Sequence, residues 1–169
     1  MKISIADRRS NAEQLSRFFA RNLTTSYISH SELQGFRAAR PGVWASNIES
    51  VLDGEIRQRL TEPLGQFPAD ANWKGVIEAH DDEQLVGLAL VTISREAVVS
   101  FAILEDIVVD DSRRGHGIGR VMTDWIIAEL GRAGIQRIFL ESGRDNAAAH
   151  HFFERCGFRQ VSIVMMRDI

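Results

Sequence analysis

Apolar and polar residues follow one another with two different periods along the first third of the chain. Residues 2–6 alternate between polar and apolar side chains, and this period of two predicts a strand. Residues 15–23 repeat apolar side chains at helical spacing, after turn and capping residues at 7–11. Residues 43–64 carry a second apolar helical face. The chain is therefore predicted to begin with a strand followed by two amphipathic helices.

Three apolar runs rich in β-branched residues occupy the middle of the chain. Residues 73–79 and 84–93 are separated by a polar turn at 80–83, so these two runs are predicted to pair antiparallel. Residues 97–109 form the third run, which ends at Asp110-Asp111-Ser112, where side chains favour a turn. The pattern predicts an antiparallel meander whose last strand is central in the sheet.

The last third of the chain returns to helical spacing and then alternates again. Residues 118–130 are predicted to form a helix and residues 136–141 a strand. Residues 146–155 are predicted to form a short helix with Asn146 near its cap. Residues 159–166 alternate once more and are predicted to form the last strand.

This order of elements predicts a mixed α/β (α+β) fold. The meander leads into a strand-helix-strand crossover, and a single mixed, mostly antiparallel twisted sheet with flanking helices accommodates both. A chain of 169 residues has the size of one ordinary domain. Because no repeat, low-complexity segment or linker divides it, residues 1–169 are predicted to form a single domain.

Composition narrows the classes of partner. Hydrophobic residues make up 44% of the chain and charged residues 25%, and the net charge of −3 gives no general attraction to nucleic acid. No apolar run reaches the length of a membrane span, so no membrane partner is expected. Cys156 is the only cysteine, which excludes an internal disulfide and fits the reducing cytoplasm. No metal is expected, and the oligomeric state stays open between a monomer and a homodimer.

A glycine-rich turn, Arg114-Gly115-His116-Gly117-Ile118-Gly119, joins the third apolar run to the following helix. Backbone N–H groups at the start of a helix bind phosphate oxygens, and Arg114 and Arg120 add charged donors. The sequence does not fit a Walker loop, which needs Lys and then Ser or Thr after its last glycine, because Arg120-Val121 stands there. It does not fit the dinucleotide-binding motif G-x-G-x-x-G either. An anionic cofactor of another class is predicted here, with a plain glycine turn as the structural alternative.

The letters do match R/Q-x-x-G-x-G/A, as Arg114, Gly117 and Gly119, and here the sequence resembles the GNAT superfamily of N-acetyltransferases. Residues 104–110 (LEDIVVD) look like the central strand of that family. Residues 146–158 (NAAAHHFFERCGF) look like its C-terminal motif. The resemblance covers residues 104–168 in order and spacing.

The resemblance implies that acetyl-CoA is the cosubstrate and that it binds along the third apolar run and the glycine turn. In the family, the backbone of the central strand bonds the pantetheine arm, and the glycine loop holds the pyrophosphate. The first role would fall on Ile107, Val108 and Val109, the second on residues 114–120, and Asn146 would contact the cofactor's arm. The side chains of residues 107–109 also fit an ordinary core strand, because the proposed bonds use main-chain groups.

Acyl transfer to an amine needs the amine deprotonated, the thioester carbonyl polarised and the leaving thiolate protonated. Glu105 is the candidate base, directly or through water, because it interrupts an apolar run on a central strand, where a carboxylate is poorly solvated. A structural carboxylate is the alternative. Asp106 is predicted to project to the opposite face as a surface or capping acid, unless a bulge breaks the alternation.

The proton donor for the thiolate is less well defined by the sequence. The family usually has Tyr where this chain has Phe153, which has no proton to give. His150 is the preferred substitute, because histidine titrates near neutral pH and His150 lies close to Phe153 on the predicted helix. His151, Cys156, Ser142 or a water are alternatives, and a coenzyme A thiolate can also leave unaided. Solvated histidines are the structural alternative.

The expected function is transfer of an acetyl group from acetyl-CoA to a primary amine of a small molecule. Direct attack in a ternary complex is expected, because no nucleophile motif suggests a covalent enzyme intermediate. An acetyltransferase for protein N-termini or lysines is the second hypothesis. A non-enzymatic acyl-CoA-binding sensor is the third, motivated by Phe153. The two N-terminal helices and residues 24–42 are expected to decide the acceptor.

Overall fold

Seven strands and five α-helices follow one another in the computed structural model, which describes residues 1–169. The strands are β1 (Lys2–Ile5), β2 (Ala38–Arg40), β3 (Val43–Trp44), β4 (Trp73–Asp81), β5 (Gln84–Ser94), β6 (Phe101–Val109) and β7 (Arg137–Leu140). The helices are α1 (Ala12–Asn22), α2 (His30–Gln34), α3 (Ile48–Arg59), α4 (Ile118–Arg132) and α5 (Ala147–Arg155). Short 3₁₀ turns lie at Thr25–Tyr27 and Asp111–Arg113.

Five of the strands form one sheet in the order β1-β4-β5-β6-β7. The pairs β1–β4, β4–β5 and β5–β6 are antiparallel, whereas β6 and β7 are parallel and are connected through α4. The predicted pairing of the two strands around residues 80–83 is confirmed, with a turn at Asp82, whose positive φ of 53° is one that aspartate tolerates. The predicted mixed, mostly antiparallel sheet is confirmed.

The chain divides into two compact units. The first, Met1–Leu23 with Ser46–Glu141, contains the five-stranded sheet, α1, α3 and α4. Its core includes side chains from β4, β5 and the three helices that are fully shielded from solvent: Phe19, Leu52, Ile56, Ile77, Leu88, Leu90, Met122 and Leu130. The second unit, Thr24–Ala45 with Ser142–Ile169, contains α2, the β2–β3 ribbon and α5.

A helix was predicted over residues 43–64, but the observed helix α3 is shorter and spans Ile48–Arg59. Val43 and Trp44 pair with β2 instead, because the left-handed backbone of Gly42, with φ of 75°, turns the chain into a two-stranded ribbon. Helix α3 begins only at Ile48, and Leu52 and Ile56 form its buried face.

The predicted last strand over residues 159–166 is wrong. These residues have no regular secondary structure, and their apolar side chains, including Val161, Ile163 and Met165, are exposed. A strand needs a neighbouring strand to pair with its backbone, and an alternating sequence does not by itself supply one.

None of the helices is both long enough and apolar enough to cross a membrane.

Candidate active site

Strand β6 has different neighbours along its two edges. Its ladder with β7 ends at the pair Leu104–Leu140, whereas its ladder with β5 continues to the pair Gly87–Val109. The second half of β6 therefore extends past the end of β7. The predicted cofactor-binding residues Ile107, Val108 and Val109 lie in this half, with Val108 buried and the other two half-buried.

Glu105 lies at a β-bulge at the start of that half. The β5–β6 ladder passes from the pair Leu90–Asp106 to the pair Val91–Leu104, so Glu105 is an extra residue with no partner position on β5. A bulge bends its strand and changes the direction of the side chains beside it. The candidate base is thus at the point where β6 departs from regular pairing.

Both carboxylate oxygens of Glu105 accept hydrogen bonds. The guanidinium of Arg59, the last residue of α3, donates from Nη2 to Oε2, and the hydroxyl of Thr92 on β5 donates to Oε1. The side chains of Arg59 and Glu105 are 12% and 27% exposed, so the ion pair is largely shielded from water. Sequence reasoning missed Arg59 and Thr92, because neither is close to Glu105 along the chain and neither belongs to a motif.

Asp106 lies on the opposite face of β6 from Glu105, as predicted, but its predicted surface or capping role is wrong. Asp106 was expected to be a surface or capping acid, but its side chain is only 2% exposed. The burial of β6 alternates with the even-numbered residues inward, and Asp106 occupies one of these inward positions. The more shielded of the two neighbouring carboxylates is therefore Asp106 rather than Glu105.

The glycine turn has the backbone that its sequence predicts. Gly115 and Gly117 have positive φ angles of 80° and 82°, and Gly117 is the N-cap of the 15-residue helix α4. No side chain caps this end of the helix. A Cβ at either glycine would meet nothing within 4 Å, so these glycines serve the backbone angle rather than close packing. The exposed turn places uncapped N–H groups at the positive end of the α4 dipole.

The charged side chains of the turn are paired with neighbouring acids. Arg114 forms an ion pair with Asp111 at 2.8 Å and also donates to the main-chain oxygen of Asn22. Arg120 donates to Asp124 one helical turn along α4, at 2.8 Å. His116 Nδ1 lies 3.0 Å from the carbonyl oxygen of Arg114. The main-chain N–H groups are consequently the donors that this turn presents most directly to an anion.

Helix α1 anchors the start of the turn, a link that sequence reasoning missed. Asn22 accepts a hydrogen bond from the N–H of Asp111, and Arg21 donates to Asp110 at 2.8 Å. Ser112 donates to the other oxygen of Asp110 from its hydroxyl and its N–H. The hydrogen bond from the Ser112 hydroxyl, followed by the Ser112 N–H and Arg21, holds the pKa of Asp110 below its usual value, against the opposing effect of burial. The turn residues 110–112 were recognisable, but their partners on α1 were not.

The predicted residues of the second unit lie on or next to α5. Asn146 caps the helix by accepting from the N–H of Ala149 at 3.4 Å, as predicted. His150 is half-buried, and His151 is exposed, with Nδ1 3.6 Å from Glu154. Phe153 is buried and packs edge-on against Phe152 and Phe158, so it is a core side chain. The hydroxyl of Ser142 is buried and has no hydrogen-bond partner.

Two surface clefts lie elsewhere in the first unit. One, of about 400 Å³, is lined mainly by α1 and the turn before β5, and the other, of about 630 Å³, lies between α1 and α3. Neither cleft includes Glu105 or a residue of the glycine turn. The candidate active site is therefore identified by the backbone of β6 and of the glycine turn, not by the size of a cleft. No group of three or more His, Cys, Asp or Glu side chains is placed to hold a metal ion.

Comparison with known families gives one match over most of the chain. The model of the acetyltransferase (GNAT) family matches residues 44–158, which include β6, the glycine turn and α5.

Individual relatives are more distant. The ribosomal protein bS18-alanine N-acetyltransferase of Escherichia coli K12 is 34% identical over 68 residues, which are 40% of this chain and 46% of the relative. This chain therefore spans about half the length of that curated relative. An aminoglycoside 6'-N-acetyltransferase from Acinetobacter haemolyticus has a TM-score of 0.66 at 18% identity, over 100% of this chain and 98% of the other. An aminoglycoside N-acetyltransferase in complex with CoA has a TM-score of 0.64 at 14% identity, over 99% and 93%. These two structures show the fold.

Proposed function

The chain belongs to the acetyltransferase (GNAT) family, and we propose that it transfers an acetyl group from acetyl-CoA to a primary amine of a small molecule. The observation that carries this proposal is the start of α4, where Gly115 and Gly117 hold an exposed turn whose N–H groups no side chain caps. Such a helix start binds the negatively charged oxygens of a pyrophosphate. Family members use an acyl-CoA, and acetyl-CoA is the proposed form here.

The rest of the cofactor is assigned to β6 and α5. The proposal places the pyrophosphate on residues 114–120, from Arg114 through Gly115, His116, Gly117, Ile118 and Gly119 to Arg120. It places the pantetheine arm along the main chain of residues 107–109, where β6 extends past β7. Asn146 uses Oδ1 for its helix cap, and its Nδ2 is the proposed donor to the cofactor's arm.

The proposed reaction is a direct attack. The acceptor nitrogen, as a neutral amine, attacks the thioester carbonyl carbon, and Glu105 takes the N–H proton directly or through a water. The C–S bond then breaks, the sulfur leaves with its electron pair, and a proton converts the thiolate to the thiol of coenzyme A. The products are an N-acetylated amine and free coenzyme A.

His150 is the proposed source of the proton for the thiolate. Phe153, at the place where the family usually has Tyr, is buried among aromatic rings and has no proton to give. His150 lies on the same helix, is half-buried, and has an imidazole ring that can donate a proton.

A protein N-terminus is the second candidate acceptor. The observation in its favour is the 34% identity to an enzyme named for acetylating the alanine of a ribosomal protein. An α-amino group and a small primary amine undergo the same attack on the thioester. The two acceptors differ in the surface that surrounds the amine, so the choice between them is a matter for experiment.

Residues 1–169 are proposed to act as one acetyltransferase domain. In support, the family match over residues 44–158 draws on both compact units. The reducing cytoplasm is the proposed location, where the thiol of Cys156 would stay reduced. The acetyl-CoA complex is proposed to need no metal, nucleic acid or membrane.

Thermal unfolding with and without acetyl-CoA tests the cofactor assignment. A ligand that binds only the folded chain stabilises it by about 2.7 kcal/mol at a hundredfold excess over Kd, which raises the Tm by several degrees. Acetyl-CoA at millimolar concentration is expected to produce this rise, and adenosine, which lacks the pyrophosphate, is expected to produce little. An unchanged Tm with acetyl-CoA would contradict the proposal.

Release of free thiol from acetyl-CoA, followed over a panel of acceptors, tests the reaction. The panel combines small primary amines, including polyamines and aminoglycosides, with peptides that begin with alanine and peptides that contain lysine. Turnover with a small amine supports the leading proposal, and turnover with the alanine peptides alone supports the second candidate. Binding of acetyl-CoA without turnover on any acceptor would leave a binding protein and refute both enzymatic proposals.

A further inference from the structure

Arg59 and Thr92 hold the carboxylate of Glu105 from two different elements of the fold, α3 and β5. We propose that Arg59, assisted by Thr92, is a positioning residue for acetyl transfer that acts through Glu105. It fixes the orientation of the carboxylate and neutralises its charge before the acceptor binds. This inference rests on the proposed function, in which Glu105 is the base.

The carboxylate of Glu105 is fixed by two hydrogen bonds but still has positions that can accept more. An ionised carboxylate has about four positions that accept hydrogen bonds, and Arg59 and Thr92 are the two donors seen, one on each oxygen. The remaining positions can accept from an amine or from a water. Because the bulge leaves Glu105 without a partner residue on β5, the two side-chain contacts with Arg59 and Thr92 are what hold its carboxylate in place.

Stability alone does not account for this pair. Removing two charges from water offsets much of the attraction between them. Arg59 also has a second terminal nitrogen, Nη1, that is buried and has no hydrogen-bond partner, which is unfavourable. Apolar side chains of similar size in place of both Arg59 and Glu105 would fill the same space without either penalty. The arrangement is better explained by what it does to Glu105.

The charge of Arg59 has a specific consequence for the acceptor. Alkyl amines are mostly ammonium ions near neutral pH. A shielded carboxylate without a counter-ion would hold such an ammonium as an ion pair, in which the nitrogen has no electron pair for attack. Paired with Arg59, Glu105 presents no net charge to the acceptor. The acceptor then reacts as the neutral amine, after its ammonium proton has passed to water. Glu105 is available to take the remaining N–H proton as nitrogen bonds to the carbonyl carbon, the C–S bond breaks and the sulfur leaves as the thiolate.

Replacement of Arg59 therefore has a characteristic kinetic signature. Arg59→Met keeps most of the side-chain length but removes the charge and the donors. We expect kcat to fall about 10- to 100-fold, as for a displaced catalytic group. KM for the acceptor is expected to stay constant or to fall, because the unpaired carboxylate attracts the ammonium. Arg59→Lys, which restores the charge, is expected to recover part of the kcat.

A double-mutant cycle shows whether Arg59 acts through Glu105. Arg59→Met is compared in the wild-type and Glu105→Gln backgrounds, and Thr92→Val is treated in the same way. The proposal predicts that each replacement lowers kcat less than twofold once Glu105 has been replaced. Equal losses in both backgrounds, or a rise in KM with an unchanged kcat, would overturn it. Arg57→Met is the matched control, since Arg57 is exposed on the same helix and pairs with Asp53.

Folding is checked for every variant by its Tm and by the rise in Tm with acetyl-CoA. If Arg59→Met does not fold, the Arg59→Met/Glu105→Gln double variant, which removes both charges, shows whether the unpaired carboxylate caused the failure. The nearly isosteric Thr92→Val variant then decides whether the proposal stands. Its predicted loss of kcat must disappear in the Glu105→Gln background. If the wild-type chain shows no turnover with any acceptor, the proposed function and this inference are overturned together. If it turns over and the kcat losses of Arg59→Met or Thr92→Val add to that of Glu105→Gln, only the inference is overturned.

Discussion

Gly117 shows how one residue controls the proposed phosphate site. Its φ of 82° is left-handed, a region that costs an L-residue with a side chain about 1–2 kcal/mol. Since a Cβ there would meet no other atom within 4 Å, any effect of a substitution must act through the backbone. The direction of the first N–H groups of α4 depends on that backbone angle.

Gly117→Ala is accordingly expected to weaken acetyl-CoA binding about tenfold, which corresponds to about 1.4 kcal/mol. Calorimetric titration with acetyl-CoA measures the change. Gly131→Ala is the matched control, because Gly131 lies in the same helix with open space around it. That replacement is expected to stabilise the protein by about 0.5–1 kcal/mol and to leave Kd unchanged. Equal changes in Kd for the two variants would argue against a role for the turn in binding.

The two acids on β6 show what could be predicted at this scale. Glu105 could be identified from the sequence because it interrupts an apolar run, and the structure does place it on β6. The burial of Asp106 could not be identified, nor could the contacts of Glu105 with Arg59 and Thr92. The burial of Asp106 depends on what packs against its face of β6, and the partners of Glu105 are side chains from other elements. The sequence near Glu105 contains neither.

At the scale of elements, α1 and the glycine turn are joined through Asp110. The carboxylate accepts from Ser112 on one oxygen and from Arg21 at the end of α1 on the other. The hydroxyl of Ser112 contributes most to lowering the pKa of Asp110, with smaller contributions from its N–H and from Arg21. The ionised carboxylate therefore stabilises the start of the turn that leads to α4.

The lowered pKa gives this link a defined pH dependence. As pH falls, the unfolded chain takes up the Asp110 proton first, near the ordinary value of 3.8, while the folded chain resists. The stabilisation is thus complete above about pH 5 and is lost as pH falls through the lowered pKa of the folded chain. Urea unfolding from pH 6 to 3 is expected to show a smaller acid loss of stability for Asp110→Asn than for wild type.

Glu62→Gln is the control for that pH series. Glu62 is exposed and pairs with an exposed Arg8, an arrangement that contributes little to stability. Its acid loss of stability should match that of wild type. If Asp110→Asn also matches wild type, Asp110 does not stabilise the turn through its charge.

Element boundaries were predictable where local chemistry marks them. Asn146 caps α5 as its sequence indicates, and the turn between β4 and β5 follows from its acidic residues. The start of α3 was not predictable in the same way, because the apolar side chains of Val43 and Trp44 continue the pattern of the following helix. Their pairing with β2 depends on the turn at Gly42, and the periodicity of apolar side chains contains no information about that turn.

At the scale of the whole molecule, the sheet order of the first unit follows from the succession of apolar runs, and the C-terminal segment does not. Short connections favour pairing of neighbouring strands, and a helical crossover gives a parallel pair, so β4 to β7 were predictable. Residues 159–166 have the same alternation as a strand but no neighbour in the structure. Strand propensity describes the segment alone, whereas a paired strand also needs a neighbouring strand, which depends on the complete fold.

Hydrogen exchange on the intact chain measures this difference directly. The N–H groups of β5 bond to both β4 and β6 inside the core and are expected to exchange only through large-scale unfolding. Residues 159–169 have no regular hydrogen bonding and expose Val161 and Met165 to 67% and 91%, so their amides are expected to exchange at nearly the rate of an unstructured peptide. Helix α5, adjacent in sequence, is the internal reference. Slow exchange at residues 159–166 in the isolated chain would mean that they do pair as a strand in solution, and concentration-dependent protection would identify a second copy as the partner.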